Sequence, residues 1–309
     1  MEPQGKGSKL ENHFDFISEA SRIWEIFAML FDTHSHLYFE PLSDDPDGVI
    51  ARMLRNGVDR AVQIGCDIPS SLKAVELTRE NPESLRATVG IHPSECTSLR
   101  IEETMEKLES ILIQNRDIIV GIGEAGLDYH WISEPPGDSI LTEEELRDFH
   151  ITQQKSIADI QKIWFRAQAE LAEKYHLPLI IHTRDAREDT LACIRDFPVN
   201  FAIMHCYSED PDFAHALLTH SPEIYFSFSG ILTYKKSDLI RETAKMLPLD
   251  RILIETDAPF LAPQPVRGSV NESTYVRYVF EQLCTLRTES PEEIEQTLWE
   301  NSCRVYGWR

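Results

Sequence analysis

Six side chains of metal-ligand type stand at the ends of short apolar runs. They are His34 and His36 in MLFDTHSH, Glu124 in DIIVGIGE, His182 in LPLIIHT, His205 in FAIMHCY and Asp257 in RILIETDAP. Neutral imidazole nitrogens mixed with carboxylate oxygens suit Zn, Mn, Ni or Mg, according to geometry and supply. The His34-x-His36 spacing fits a strand, because residues two apart project from the same face. A lone strand histidine is usually a satisfied core residue. Four of them at run ends, with two carboxylates, point instead to an ion site.

Residues 121–126, GIGEAG, also match the spacing of a dinucleotide-binding turn. That turn needs a helix to start at its last glycine, so that the helix N-terminus faces the pyrophosphate. Here Gly126 leads into LDYHWISEPPGD, whose prolines and glycine resist a helix. A carboxylate inside the turn would also repel phosphate. The glycines are therefore read as letting the backbone crowd a site into which Glu124 projects.

Elements able to bring these residues together are legible as eight β-branched apolar runs, at 29–36, 60–65, 86–93, 117–124, 177–183, 201–207, 223–230 and 251–259. Between most of them lie stretches of helical periodicity, such as EETMEKLESILIQN and FRAQAELAEKYH. Buried strands alternating with amphipathic helices predict a parallel sheet covered by helices. Eight such units predict a (β/α)8 TIM barrel, with a doubly wound open sheet as the competing architecture. In a barrel the C-terminal ends of the strands share one face, and the six residues would meet there. Two segments fall outside the repeat. Residues 1–28 read as an N-terminal extension with an amphipathic helix, FISEASRIWEIFAM. Residues 131–160 read as an acidic insertion within a single catalytic barrel spanning 29–309, either covering the site mouth or without a role.

The chain carries 30 basic and 52 acidic residues, a net charge of −22. Such a surface disfavours non-specific nucleic-acid binding, which needs many phosphate neutralisations. It leaves room for an enzyme whose pocket is made cationic by bound metal. The six cysteines are scattered, without a C-x-x-C pair, as expected of reduced thiols in a cytoplasmic enzyme. No secretory signal or membrane-spanning run is read, and no obligate protein partner is inferred.

The motifs FDTHSHL, GIHP, GEAGLDYH, LPLIIHTRDA, MHCYS, SFSGILTYKK and LIETDAPFLAP, in this order, resemble the TatD-type metal-dependent deoxyribonucleases, of the amidohydrolase-like barrels. The resemblance runs from about Met29 to the terminal NSCRVYGW. It implies two divalent ions (Mg, Mn or Zn), one on His34, His36, Glu124 and Asp257, the other on Glu124, His182 and His205, with Glu124 bridging. It implies phosphodiester hydrolysis of DNA ends or single strands, as a 3′–5′ exonuclease, with Asp257 taking the proton of the attacking water. His92, Arg184 and Arg267 become candidates for substrate contact. Two departures weaken the expected grip on a polyanion. HCYSED replaces an aromatic-Ser-Gly turn and is expected to bring Glu209 and Asp210 near the site, and GSVNES follows Arg267 where the family carries further cations. A metal-dependent ester or amide hydrolase, such as a D-aminoacyl-tRNA deacylase, is the alternative enzyme. A catalytically silent metal-binding partner protein is the non-enzymatic alternative.

Overall fold

The computed structural model describes residues 29–96, 100–130, 157–199, 201–221 and 223–308. The expected helix within residues 1–28 and most of the expected 131–160 insertion lie outside the described residues. The last four residues of that span lie in a helix, Ile157–Tyr175, in which Ile160, Trp164 and Phe165 are buried at helical spacing.

All eight expected strands are present: β1 Leu30–Ser35, β2 Val58–Gln63, β3 Leu85–Val89, β4 Ile119–Asp128, β5 Leu179–Arg184, β6 Ala202–Met204, β7 Ile224–Phe228 and β8 Ile252–Ile254. Each pairs in parallel with the next in the order of the sequence. The ring closes beyond the end of β8. His36 N–H donates to the Ala258 carbonyl at 2.8 Å and Asp257 N–H to that of His34 at 2.9 Å. The fold is the (β/α)8 barrel, not the open sheet.

The apolar runs are continuous because both faces of each strand are covered. Inside the ring, Phe31, Val62, Val120, Ile180, Ile203, Tyr225 and Leu253, from seven of the strands, pack into one buried cluster with Val305, Tyr306 and Trp308. The C-terminal residues thus plug the barrel floor, where Tyr306 O–H donates to the Thr33 carbonyl at 2.8 Å. Outside the ring, a larger cluster joins the strands to the helices. These are α1 Pro46–Arg55, α2 Ile68–Glu80, α3 Ile101–Gln114, α4 Ile157–Tyr175, α5 Arg187–Asp196, α6 Pro211–His220, α7 Asp238–Met246, α8 Val276–Leu286 and α9 Pro291–Tyr306. Capping follows the sequence: Asp67, Asp210 and Ser290 accept from the first-turn amides of α2, α6 and α9.

The opposite end of the barrel is pinned by two glutamines of α4. Gln168 bonds both backbone groups of Ile91, at 2.8 and 2.9 Å. Gln161 bonds both backbone groups of Asp128, at 3.0 Å each. Strand four therefore runs on to Asp128 and does not end at Glu124, as the apolar run alone suggested. Its pairing with β5 slips between Ile122 and Ala125, so Glu124 sits in a bulge that re-aims its side chain.

Gly126 has a φ of +136°, and a Cβ there would lie 2.1 Å from the carbonyl oxygen of His182. Gly268 also has a positive φ, +91°, but open space around it. Gly268→Ala is expected to cost about 1–3 kcal/mol of backbone strain. Gly126→Ala is expected to cost clearly more, because the backbone of β5 must also shift. Urea unfolding of the two variants checks this, and equal losses would mean that the β4–β5 approach carries no constraint.

Candidate metal centre

Every one of the six expected ligands reaches the same end of the barrel. Glu124 lies at the centre and presents its two oxygens to different imidazoles. Oε2 is 3.5 Å from His34 Nε2, while Oε1 is 2.7 Å from His182 Nδ1 and 3.0 Å from His205 Nε2. Asp257 Oδ1 lies 3.6 Å from His34 Nε2 and 3.5 Å from His36 Nε2. Within both His34–His36–Glu124 and Glu124–His182–His205, the ligand atoms lie within 4.8 Å of one another.

The residues fit a cation. His34 Nε2 and His36 Nε2 face each other at 3.2 Å, and the His34 and His205 rings stack with centroids 3.8 Å apart. Buried imidazoles so close cannot all carry protons without repulsion. Burial and the neighbouring His205 both push the His34 pKa down. Burial opposes the charge on Glu124, yet His205 and the hydrogen bond from His182 outweigh it and hold the carboxyl well below its usual range. Asp257 is likewise depressed, with burial outweighed by His36, His205 and His34. The set is nitrogen donors and ionised oxygens aimed inward, as a divalent ion requires.

The outer nitrogens of the histidines are mostly anchored too. Glu255, fully buried, approaches His205 Nδ1 at 3.0 Å and accepts from the Cys206 amide at 2.8 Å. The Ile64 carbonyl lies 3.1 Å from His36 Nδ1. Asp128 Oδ2 lies 3.3 Å from His182 Nε2. Sequence reasoning missed Glu255 and Asp128. Glu255 stands two residues before Asp257, at the spacing that served for His34 and His36. Asp128 was hidden because strand four was ended too early. Asp32 has a third role: it accepts from the Thr256 amide at 2.8 Å and hydroxyl at 2.7 Å, joining β1 to the segment that carries Asp257.

His92 reaches the cluster, its Nε2 3.6 Å from Glu124 Oε1 and its ring 4.6 Å from that of His182. Burial pushes its pKa down to about 4, so it stands neutral at pH 7. Arg184 is exposed on the wall of a cavity also lined by His182, His205 and Asp257. Arg267 is not among that lining; its guanidinium stacks on Tyr234, 3.7 Å from the ring centroid. Asp210 does not turn toward the site, because it caps α6 and pairs with Arg187, and Ser208 lines the cavity in that region.

Among the described residues, no helix is long and apolar enough to cross a membrane. A family model described as "TatD related DNase" matches residues 31–307. The chain is 36% identical over 280 residues to an uncharacterized metal-dependent hydrolase, YabD, of Bacillus subtilis, with 90% of this chain and 99% of that protein covered. It is 32% identical to a metal-dependent hydrolase of Escherichia coli, YcfH, also described as uncharacterized, covering 90% of this chain and 95% of that one. Among solved structures it resembles YJJV, a TatD homologue of Escherichia coli, at 25% identity with a TM-score of 0.77 over 91% of this chain and 99% of that one.

Glu255 should act through His205. Glu255→Gln keeps the shape, removes the charge behind the imidazole, and is expected to weaken divalent-metal binding by roughly 10–100-fold. Titration of the metal-stripped protein with Zn or Mn measures it, and an affinity equal to that of the parent would show that the buried carboxylate does not orient the ligand.

Proposed function

Taking as premise that this chain belongs to the TatD related DNase family, we propose that it is a metal-dependent hydrolase of phosphodiesters, acting on DNA ends or single strands as a 3′–5′ exonuclease. The observation that carries the reading is the pair of ligand sets sharing Glu124, whose two oxygens face His34 on one side and His182 and His205 on the other. His34, His36, Glu124 and Asp257 would hold one divalent ion, and Glu124, His182 and His205 a second, with Mg, Mn or Zn as candidates. Such a pair supplies an activated water and neutralises charge on both the attacking and leaving oxygens.

The chain's own residues do the rest. Asp257 combines proximity to His34 and His36 with a place on the cavity wall, so it can take a proton from an incoming water while touching substrate. Arg184 on the same wall can form paired hydrogen bonds to a phosphate. Arg267, held flat on Tyr234, would meet the strand further out. His92, neutral at pH 7, can donate a hydrogen bond toward the substrate without adding charge. The six free cysteines are compatible with a cytoplasmic setting.

Asp257→Asn is expected to lower kcat on an end-labelled single strand by about a hundredfold or more, and Glu124→Ala to abolish metal uptake and turnover together. Complete chelation should stop the parent enzyme, with Mg or Mn restoring it. Full activity in both variants, or activity after chelation, would sink the reading. Turnover of D-aminoacyl-tRNA but not DNA under the same metal would move the substrate to the ester class.

A further inference from the structure

The cavity beside the metal-ligand cluster has a volume of about 390 Å³. This is within the ~300–1,000 Å³ range of small-ligand sites. Its lining is of two kinds. His182, Arg184 and His205 come from the ends of β5 and β6, whereas Ile231, Phe260 and Leu261 come from the loops after β7 and β8. One group suits an anion and the other an apolar surface, so the ligand that fits carries both.

Phe260 is the unusual member. It is 53% exposed, and among the described residues no other aromatic side chain stands so far out of the protein. Its backbone is nonetheless fixed. The Phe260 amide donates to the Asp257 carbonyl at 2.9 Å, and its own carbonyl accepts from the fully buried Asn271 at 2.6 Å. Asn271 also donates to the Thr256 carbonyl at 2.8 Å, tying the Phe260 loop to the residue before Asp257. The Phe260 ring meets that of Phe39 edge-on at 6.2 Å, and Phe39 stacks on His36 at 5.1 Å. A half-exposed aromatic ring thus stands beside the cluster on a loop whose backbone is hydrogen-bonded.

We propose that this cavity takes the terminal nucleotide of a strand, with the phosphate toward Arg184 and the metal-ligand cluster and the nucleobase stacked on Phe260. The inference rests on the phosphodiesterase reading above and adds a base-binding subsite to it. Stacking on an aromatic face tolerates every base, because each has a flat π-surface. It supplies affinity that an acidic protein cannot draw from its general surface.

The test compares strands that end in a normal nucleotide with strands that end in a tetrahydrofuran spacer lacking the base, at each end in turn. The parent enzyme should favour the base-bearing end in kcat/KM by roughly five- to a hundredfold. Phe260→Ala should bring that ratio close to one, and Phe260→Trp should keep it. Calorimetry supplies a readout independent of turnover: thymidine 5′-monophosphate should bind more tightly than 2-deoxyribose 5-phosphate to the parent and Phe260→Trp proteins, but not to Phe260→Ala. Ratios that are the same in the parent and Phe260→Ala, in both measurements, overturn the subsite and leave the hydrolytic reading standing. If no strand is cut with Mg, Mn or Zn, the hydrolytic reading fails, while the calorimetric ratio still decides whether Phe260 holds a base.

Discussion

Glu124 must satisfy imidazoles on two sides at once, and much of the local structure follows from that demand. A carboxylate with 4% exposure is costly to ionise unless positive or polarisable partners surround it. Here His34 faces one oxygen, and His182 and His205 face the other. To reach this position Glu124 has to leave the regular pleat. The bulge between Ile122 and Ala125 and the glycines that let β4 press against β5 provide the departure. The local sequence GIGEAG is therefore not a phosphate-binding turn with a misplaced acid. It is a strand whose side chains were removed so that one acid could be aimed inward.

The histidines are constrained from behind as well as in front. An imidazole is oriented more firmly when its outer nitrogen has a partner. Glu255 does this for His205 and the Ile64 carbonyl for His36, while Asp128 lies within ion-pair range of His182. Asp128 is itself held through both of its backbone groups by Gln161 of α4. The helix outside the barrel is thereby connected to the cluster of candidate ligands at the rim inside it. Two of these supports are acids, so they add negative charge behind the imidazoles and strengthen them as donors to a cation.

The barrel and the six inward groups were legible because each has a local signature. A buried parallel strand reads as a short β-branched run, and the ligands stand where those runs stop. What stayed hidden depends on contacts between distant residues. The length of β4 is set by Gln161 across the barrel wall, which no periodicity within 117–130 reveals. Residues 157–160 were missed as helix because they follow a polar stretch that reads as loop, and only packing shows Ile160 buried. Asp210 was expected at the site from its distance in sequence to His205. Its side chain is instead claimed by the N-terminus of α6, where Asp followed by Pro is a stronger local rule than proximity to a ligand. Arg184 and Arg267 were equal candidates by sequence, and only the folded chain separates a cavity-wall cation from one stacked on Tyr234.

The net charge of −22 is compatible with the polyanionic substrate proposed above, because charge acts over a short distance. At physiological salt the field of an exposed carboxylate fades over about 8 Å. A phosphate at the rim therefore responds to the groups beside it more than to the total. Those groups are imidazoles, Arg184 and whatever cations the cluster holds, and the inward carboxylates are the ones that would be neutralised by such cations. On the proposed reading, an acidic exterior would limit sliding along internal duplex, which depends on many surface contacts. Productive binding would then fall to a short segment inserted into the cavity. For such a segment, the aromatic ring of the proposed subsite would supply attraction that depends little on salt or surface charge.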